Sequence, residues 1–188
     1  IELKALPLRL NIKNNSNYTD QKLDGELNLT IINKDKKINY SLENNSLKFN
    51  TKDNKVTGDI NVKPFFISSN LNLFQIDLKK IFKDNSIVVN ILKSEVFNNY
   101  NLNGIINVNT ANFRSINFLK KIKFVIRIVE GDIFLKNLTT TFRDSVVISL
   151  DDTQLIVDNN KLKFAGYITL DLIDVKGFYE HYQINKKN

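Results

Sequence analysis

The sequence predicts an all-β protein: a long antiparallel meander curled into a taco- or gutter-like or barrel-like sheet, with an apolar concave face and one or two short helices. Three observations carry this. Apolar and polar residues alternate with period 2 from end to end, the pattern of half-buried strands. Asn and Asp pairs interrupt the runs, and both residues tolerate the left-handed conformations of hairpin turns. Four of the chain's six glycines recur in one frame, apolar-x-Gly-x-apolar-x-apolar.

The frame first occurs in KLDGELNLT, residues 22–30. Leu23, Gly25, Leu27 and Leu29 point one way, and Asp24, Glu26 and Asn28 the other. Ile38, Tyr40 and Leu42 then alternate with Lys37, Asn39 and Ser41. A hairpin turn at Asn44-Asn45 leads to Leu47 and Phe49. Beyond Asp53-Asn54, KVTGDINVK (55–63) aligns Val56, Gly58, Ile60 and Val62. In LFQIDLKKIFKDN the period changes: Phe74, Leu78, Ile81 and Phe82 fall at i, i+4, i+7 and i+8, which predicts an amphipathic helix near 75–83.

After Asn98-Asn99 the frame returns in NLNGIINVN (101–109), with Leu102, Gly104, Ile106 and Val108. ANFRSINFLKK offers a helical pattern of one or two turns through Phe113, Ile116 and Leu119. In KIKFVIRIVE, Ile122, Phe124, Ile126 and Ile128 point inward and Lys121, Lys123 and Arg127 outward, with Val125 and Val129 sharing the outer parity. Ile133 and Leu135 follow Gly131; then come Val146, Ile148 and Leu150, a turn at Asp151-Asp152, and Leu155 with Val157. Beyond Asn159-Asn160, KFAGYITLD (163–171) aligns Phe164, Gly166, Ile168 and Leu170, and GFYEHYQI closes the chain with a helical turn.

Glycine is a poor strand former and leaves nothing to pack. Four of them on one apolar face therefore mark either bends in a filled barrel or sandwich, or the lining of an interior that stays open to an apolar ligand. So many strands share that face, with so few helices to cover it, that the sheet is expected to curl over itself.

No Pro-, Gly- or Ser-rich linker divides the 188 residues, so residues 1–188 are expected to form one domain. The absence of Cys excludes disulfides and thiolate metal sites. The net charge of +7 is carried by dispersed Lys, with only Arg9, Arg114, Arg127 and Arg143 beside it. Nucleic-acid readers favour clustered Arg, so specific nucleic-acid binding is not expected. His181 is the single histidine and cannot build a metal site alone. Ser145 follows Asp144 without a nucleophile-elbow frame, and no glycine precedes a helix as in a phosphate-binding loop. The expectation is a protein without catalytic, metal or cofactor site. The first residue, Ile1, is not Met, as expected of an excised fragment.

The glycine-bearing strands, the stretch VEGDIFLKNLTTTF (129–142) and then NNKLKFAGYITLDL (159–172) resemble the AsmA-like family of bacterial envelope proteins. The resemblance runs from residue 20 onward in pattern and is most specific over 101–172. It implies a periplasmic protein, held in the inner membrane by an N-terminal helix that lies outside this stretch. It further implies that the apolar gutter conducts phospholipids toward the outer membrane, with acyl chains as the partner and no catalytic signature. Its lining would be the inward residues of the four glycine strands together with Ile122, Phe124, Ile126 and Ile128. The rival expectation is a structural β-module, an adhesin or surface spacer, with a filled core.

Overall fold

The structure, a computed structural model, describes residues 2–5, 10–31, 34–81, 83, 86–92, 99–114, 116–158 and 161–182. Strands dominate and their hydrogen-bonding order follows chain order. Two compact units form, Ile1–Asn72 and Leu73–Asn188. The division falls inside a strand, where composition carries no trace of a boundary.

The first unit holds β1 (Glu2–Ala5), β2 (Leu10–Thr19), β3 (Lys22–Ile31), β4 (Lys34–Glu43), β5 (Ser46–Thr51), β6 (Val56–Val62) and the start of β7 (Phe65–Ile76). Each neighbouring pair is antiparallel. Asn44-Asn45 forms the expected turn, with φ of 49° and 63°. Asp20-Gln21 does the same between β2 and β3, at 45° and 67°. Two successive positive φ values match the right-handed twist of the flanking strands, which is why two-residue hairpins adopt them. No helix among the described residues belongs to this unit.

The second unit begins with the end of β7. Then follow α1 (Leu78–Ile81), α2 (Ile87–Leu92), β8 (Gly104–Phe113), β9 (Ile116–Val129), β10 (Asp132–Phe142), β11 (Val146–Asp158), β12 (Lys161–Leu172) and α3 (Val175–His181). From β8 to β12 the pairs are antiparallel. The step from β7 to β8 corrects the uninterrupted antiparallel meander. Here the Arg114 amide donates to the Ile76 carbonyl at 2.8 Å, so the C-terminal ends of the two strands lie side by side and the sheet is mixed. A helical crossover returns the chain to its starting end and so produces a parallel neighbour, where a tight turn cannot.

All the buried apolar side chains among the described residues lie in this second unit, among them Val89, Val108, Ile122, Ile128, Ile133 and Val146. Ile122 is entirely enclosed, at 0% exposure. The parity expected for KIKFVIRIVE is found: Ile122 and Ile128 are buried and Phe124 and Ile126 part-buried, while Lys121, Lys123 and Arg127 are exposed.

Three local expectations are corrected. The helix near 75–83 shrinks to α1, because β7 continues through Ile76; Phe74 is an exposed strand residue, and Phe82 lies outside the described residues. Phe113 and Ile116 are not on a helix but face each other across the β8–β9 turn, since an i, i+3 spacing also joins the two sides of a hairpin. Asp151-Asp152 does not end a strand. β11 runs through it with a bulge between Asp151 and Gln154, which moves the apolar parity from Leu150 to Leu155 without reversing the chain. The segment IVVNIL forms the helix α2, whose start is capped by the Ser86 hydroxyl accepting from the Val89 amide at 3.1 Å. Asn98, Asn159 and Asn160 lie outside the described residues.

Candidate functional site

The candidate surface is the apolar face of the first unit. Leu23, Leu27, Leu29, Ile38, Leu42, Leu47, Val56 and Ile60 are all part-buried on it, and Val62 at the end of β6 is exposed. Strand register places six residues from six strands on one line across this face. Ser16 stands opposite Gly25, Gly25 opposite Tyr40, Tyr40 opposite Phe49, Phe49 opposite Gly58, and Gly58 opposite Ser69. Two aromatic residues thus meet in the middle with a glycine on either side.

The rings lean apart, each over its own glycine. A Cβ on Gly25 would stand 2.5 Å from Cζ and the hydroxyl oxygen of Tyr40. One on Gly58 would stand 2.7 Å from Cζ of Phe49 and would also strike the Ser68 carbonyl oxygen. These glycines are therefore the space in which a neighbour's ring lies, an arrangement that covers the bare backbone with aromatic surface. The Tyr40 hydroxyl crosses β3 and donates to Asn14 Oδ1 at 2.8 Å, which satisfies its polar end. At the other end of the row the Ser69 hydroxyl donates to the Thr57 carbonyl at 2.9 Å. Counting outward from Asn44-Asn45 alone would have aligned Tyr40 with Phe49. That the rings fill the glycine positions depends on rotamers, which the alternation does not encode.

The lining residues expected in the second unit fall into two groups. Leu102, Gly104, Val108, Ile122 and Ile128 are buried, and Ile106, Phe124 and Ile126 part-buried, so these stand in a packed interior. Phe164, Gly166, Ile168 and Leu170 lie on the edge strand β12 and are exposed. Gly166 admits the Thr153 side chain and backbone of β11, opposite the bulge, where a Cβ would collide with both. The same sequence frame thus serves a ring in one unit and a close backbone approach in the other.

Lys36 shares the apolar parity, opposite Leu29 near the start of β4, where it is exposed; the ion pairs lie elsewhere. Lys22 pairs with Asp24 at 3.0 Å, Lys37 with Glu26 at 3.1 Å and Lys120 with Asp144 at 2.7 Å, all at exposed or half-exposed positions. The hydrogen bond from Lys22, then that from Ser41, holds the Asp24 carboxyl below its ordinary value. Asn28 and then Lys37 do so for Glu26, and Lys120 for Asp144. The Thr51 hydroxyl and the Lys55 side chain hold Asp53 well below the usual carboxylate range. These are the shifts of ion-paired turn and surface carboxylates, opposite in direction to that of a general acid raised by desolvation. Among the described residues no group of three His, Cys, Asp or Glu side chains is placed to hold a metal. Comparison with protein-family models, curated proteins and solved structures finds no match to this chain.

Proposed function

We propose that the protein is a non-enzymatic module whose apolar sheet face accommodates phospholipid acyl chains, the conducting role in the bacterial periplasm that its resemblance to the AsmA-like family implies. One observation carries this reading: in the first unit Leu27, Ile38, Leu47, Phe49 and Ile60 share a sheet face and remain part-exposed, with no helix among that unit's described residues to cover them. A sheet with one apolar face ordinarily buries it against a second layer. An acyl chain can supply that layer, because each CH₂ removed from water contributes about 0.8 kcal/mol. In the gutter-like form of the proposal, headgroups stay at the polar rim while chains slide along Leu, Ile and the two rings.

The competing reading, a structural spacer with a filled core, draws on the second unit, where Ile122 is fully enclosed and Val108 and Ile128 nearly so. Photocrosslinking separates the two. Probes at Ile38, Leu47 and Ile60 should label phospholipid in cells, and probes at the outward Asn39, Lys48 and Asn61 should not. Equal labelling from both sets, or none from either, would leave the spacer reading standing.

A further inference from the structure

Among the described residues β12 ends the strand order with an open edge, which carries Lys163 and Asp171 near its two ends. β12 closes one side of the sheet order and β1 the other, but β1 has four residues and β12 twelve. Proteins blunt edge strands by shortness, Pro, a bulge or charge. β12 contains no Pro, and the extra residue of its ladder with β11 falls on β11, so its own backbone is uninterrupted. Phe164, Tyr167, Ile168 and Leu170 are exposed by 55%, 77%, 67% and 65%. Nor does α3 shield them. The amides of Ile173 and Asp174 donate to the Ser145 carbonyl, and the Tyr182 ring stacks on Phe142 of β10, which carries the helix inward from the edge.

We propose that β12 pairs antiparallel with β12 of a second copy of this chain, about a two-fold axis at Tyr167. The strand is self-complementary in that register. On the outer face Tyr167 meets its own counterpart, and Lys163 stands opposite Asp171 in both directions. On the inner face Phe164 meets Leu170, and Gly166 leaves room for Ile168, the same small-beside-large device that Gly25 and Tyr40 use within one chain. Opposite charges directly across a strand pair stabilise it and like charges or mismatches do not. Moving the axis by one residue, to Ile168, sets Lys163 against Ile173 and Asp171 against Ala165; moving it to Gly166 sets Asp171 against Lys161 but Lys163 against Thr169 and Tyr167 against Ala165, so the Tyr167 axis alone joins the charge pairs to the Tyr167 self-pair and to the fit of Ile168 beside Gly166. The resulting interface is isologous, as closed two-fold dimers require. It does not depend on the lipid reading of the other unit.

The chain has no Cys, which gives a direct test. With Tyr167→Cys, the two thiols face each other across strands whose Cα atoms are about 4.5–5.5 Å apart, within disulfide reach. With Thr169→Cys, they sit about four residues apart, roughly 13 Å, beyond reach. Under mild oxidation Tyr167→Cys should form the linked dimer at least about tenfold faster than Thr169→Cys. A mixture of Thr169→Cys and Ala165→Cys chains should give the mixed dimer. Light scattering of the unmodified chain should report twice 21.7 kDa at high concentration, returning to 21.7 kDa in Ile168→Lys with its circular dichroism unchanged. Equal oxidation rates at 167 and 169 would overturn the proposal. So would a monomer at every concentration, including one that instead binds phosphatidylglycerol vesicles through this edge.

Discussion

The phenol ring of Tyr40 lies where a side chain on Gly25 would stand, and its hydroxyl reaches beyond that glycine to Asn14 on the next strand. Phe49 stands in the same relation to Gly58, leaning the other way. Volume on this face is distributed between strands, so neither glycine can be judged from its own strand alone.

The two glycines should differ in tolerance. In Gly25→Ala the new methyl meets the far end of a side chain that can swing away, at the loss of its bond to Asn14. In Gly58→Ala it meets the Ser68 carbonyl, part of a paired strand that cannot yield locally. Overpacking costs about 1–3 kcal/mol, and we expect Gly25→Ala near the low end and Gly58→Ala near the high end. Urea denaturation followed by far-UV circular dichroism measures both. Adding Tyr40→Ser to Gly25→Ala should recover part of the loss, since residues in contact do not act additively.

Burial separates the two apolar faces. Ile122→Ala opens a cavity in an enclosed site and should cost about 2–5 kcal/mol. Leu27→Ala removes a part-exposed side chain and should cost roughly 1 kcal/mol. The same denaturation experiment decides it. A comparable loss at both positions would mean that the face of the first unit is as fully covered as the core of the second.

Acid should weaken the fold through the paired carboxylates. Asp24, Glu26, Asp53 and Asp144 all have folded values below their ordinary ones. A depressed carboxyl contributes stability above its unfolded value, about 3.9 for Asp and 4.3 for Glu, and that stability is lost as pH falls through the folded value. Melting temperature should therefore drop from about pH 4 downward. Asp53→Asn should flatten the lower part of that drop, because Asp53 receives bonds from the Thr51 hydroxyl and the Lys55 amide and so remains ionised longest. An unchanged acid slope in the variant would contradict the assignment.

The closing helix should depend on its cap. Asp174 accepts from the Gly177 amide at 2.9 Å, and Phe178 and Tyr182 then bring the helix onto Phe142. Asp174→Ala should cost about 1 kcal/mol. Hydrogen exchange should accelerate in α3 before it does in β10.

The turn at Asn44-Asn45 and the inward face of β9 were legible because period 2 survives wherever the ladder is regular. It fails at bulges. Asn137 in β10 and Lys121 in β9 take positive φ, 53° and 54°, and each marks a place where pairing slips by one residue. Through Asn137 the inner parity passes from Leu135 to Leu138, which alternation cannot anticipate. The turns at Asp20-Gln21 and Arg143-Asp144 were missed for a different reason: hairpin geometry imposes the left-handed conformation on residues other than Asn or Gly. The candidate face was legible in its members, and the purpose of its glycines was not, since Tyr40 and Phe49 are distant in sequence from the gaps they fill.

The boundary between the units has a practical consequence for anyone who would take the chain apart. It lies between Asn72 and Leu73, in the middle of β7, whose amides and carbonyls are engaged in the sheet. Proteases nick exposed tips, not paired strands, so limited digestion will not release the halves there. A gene cut at the same codon would leave each product with a truncated strand and a raw edge of its own making.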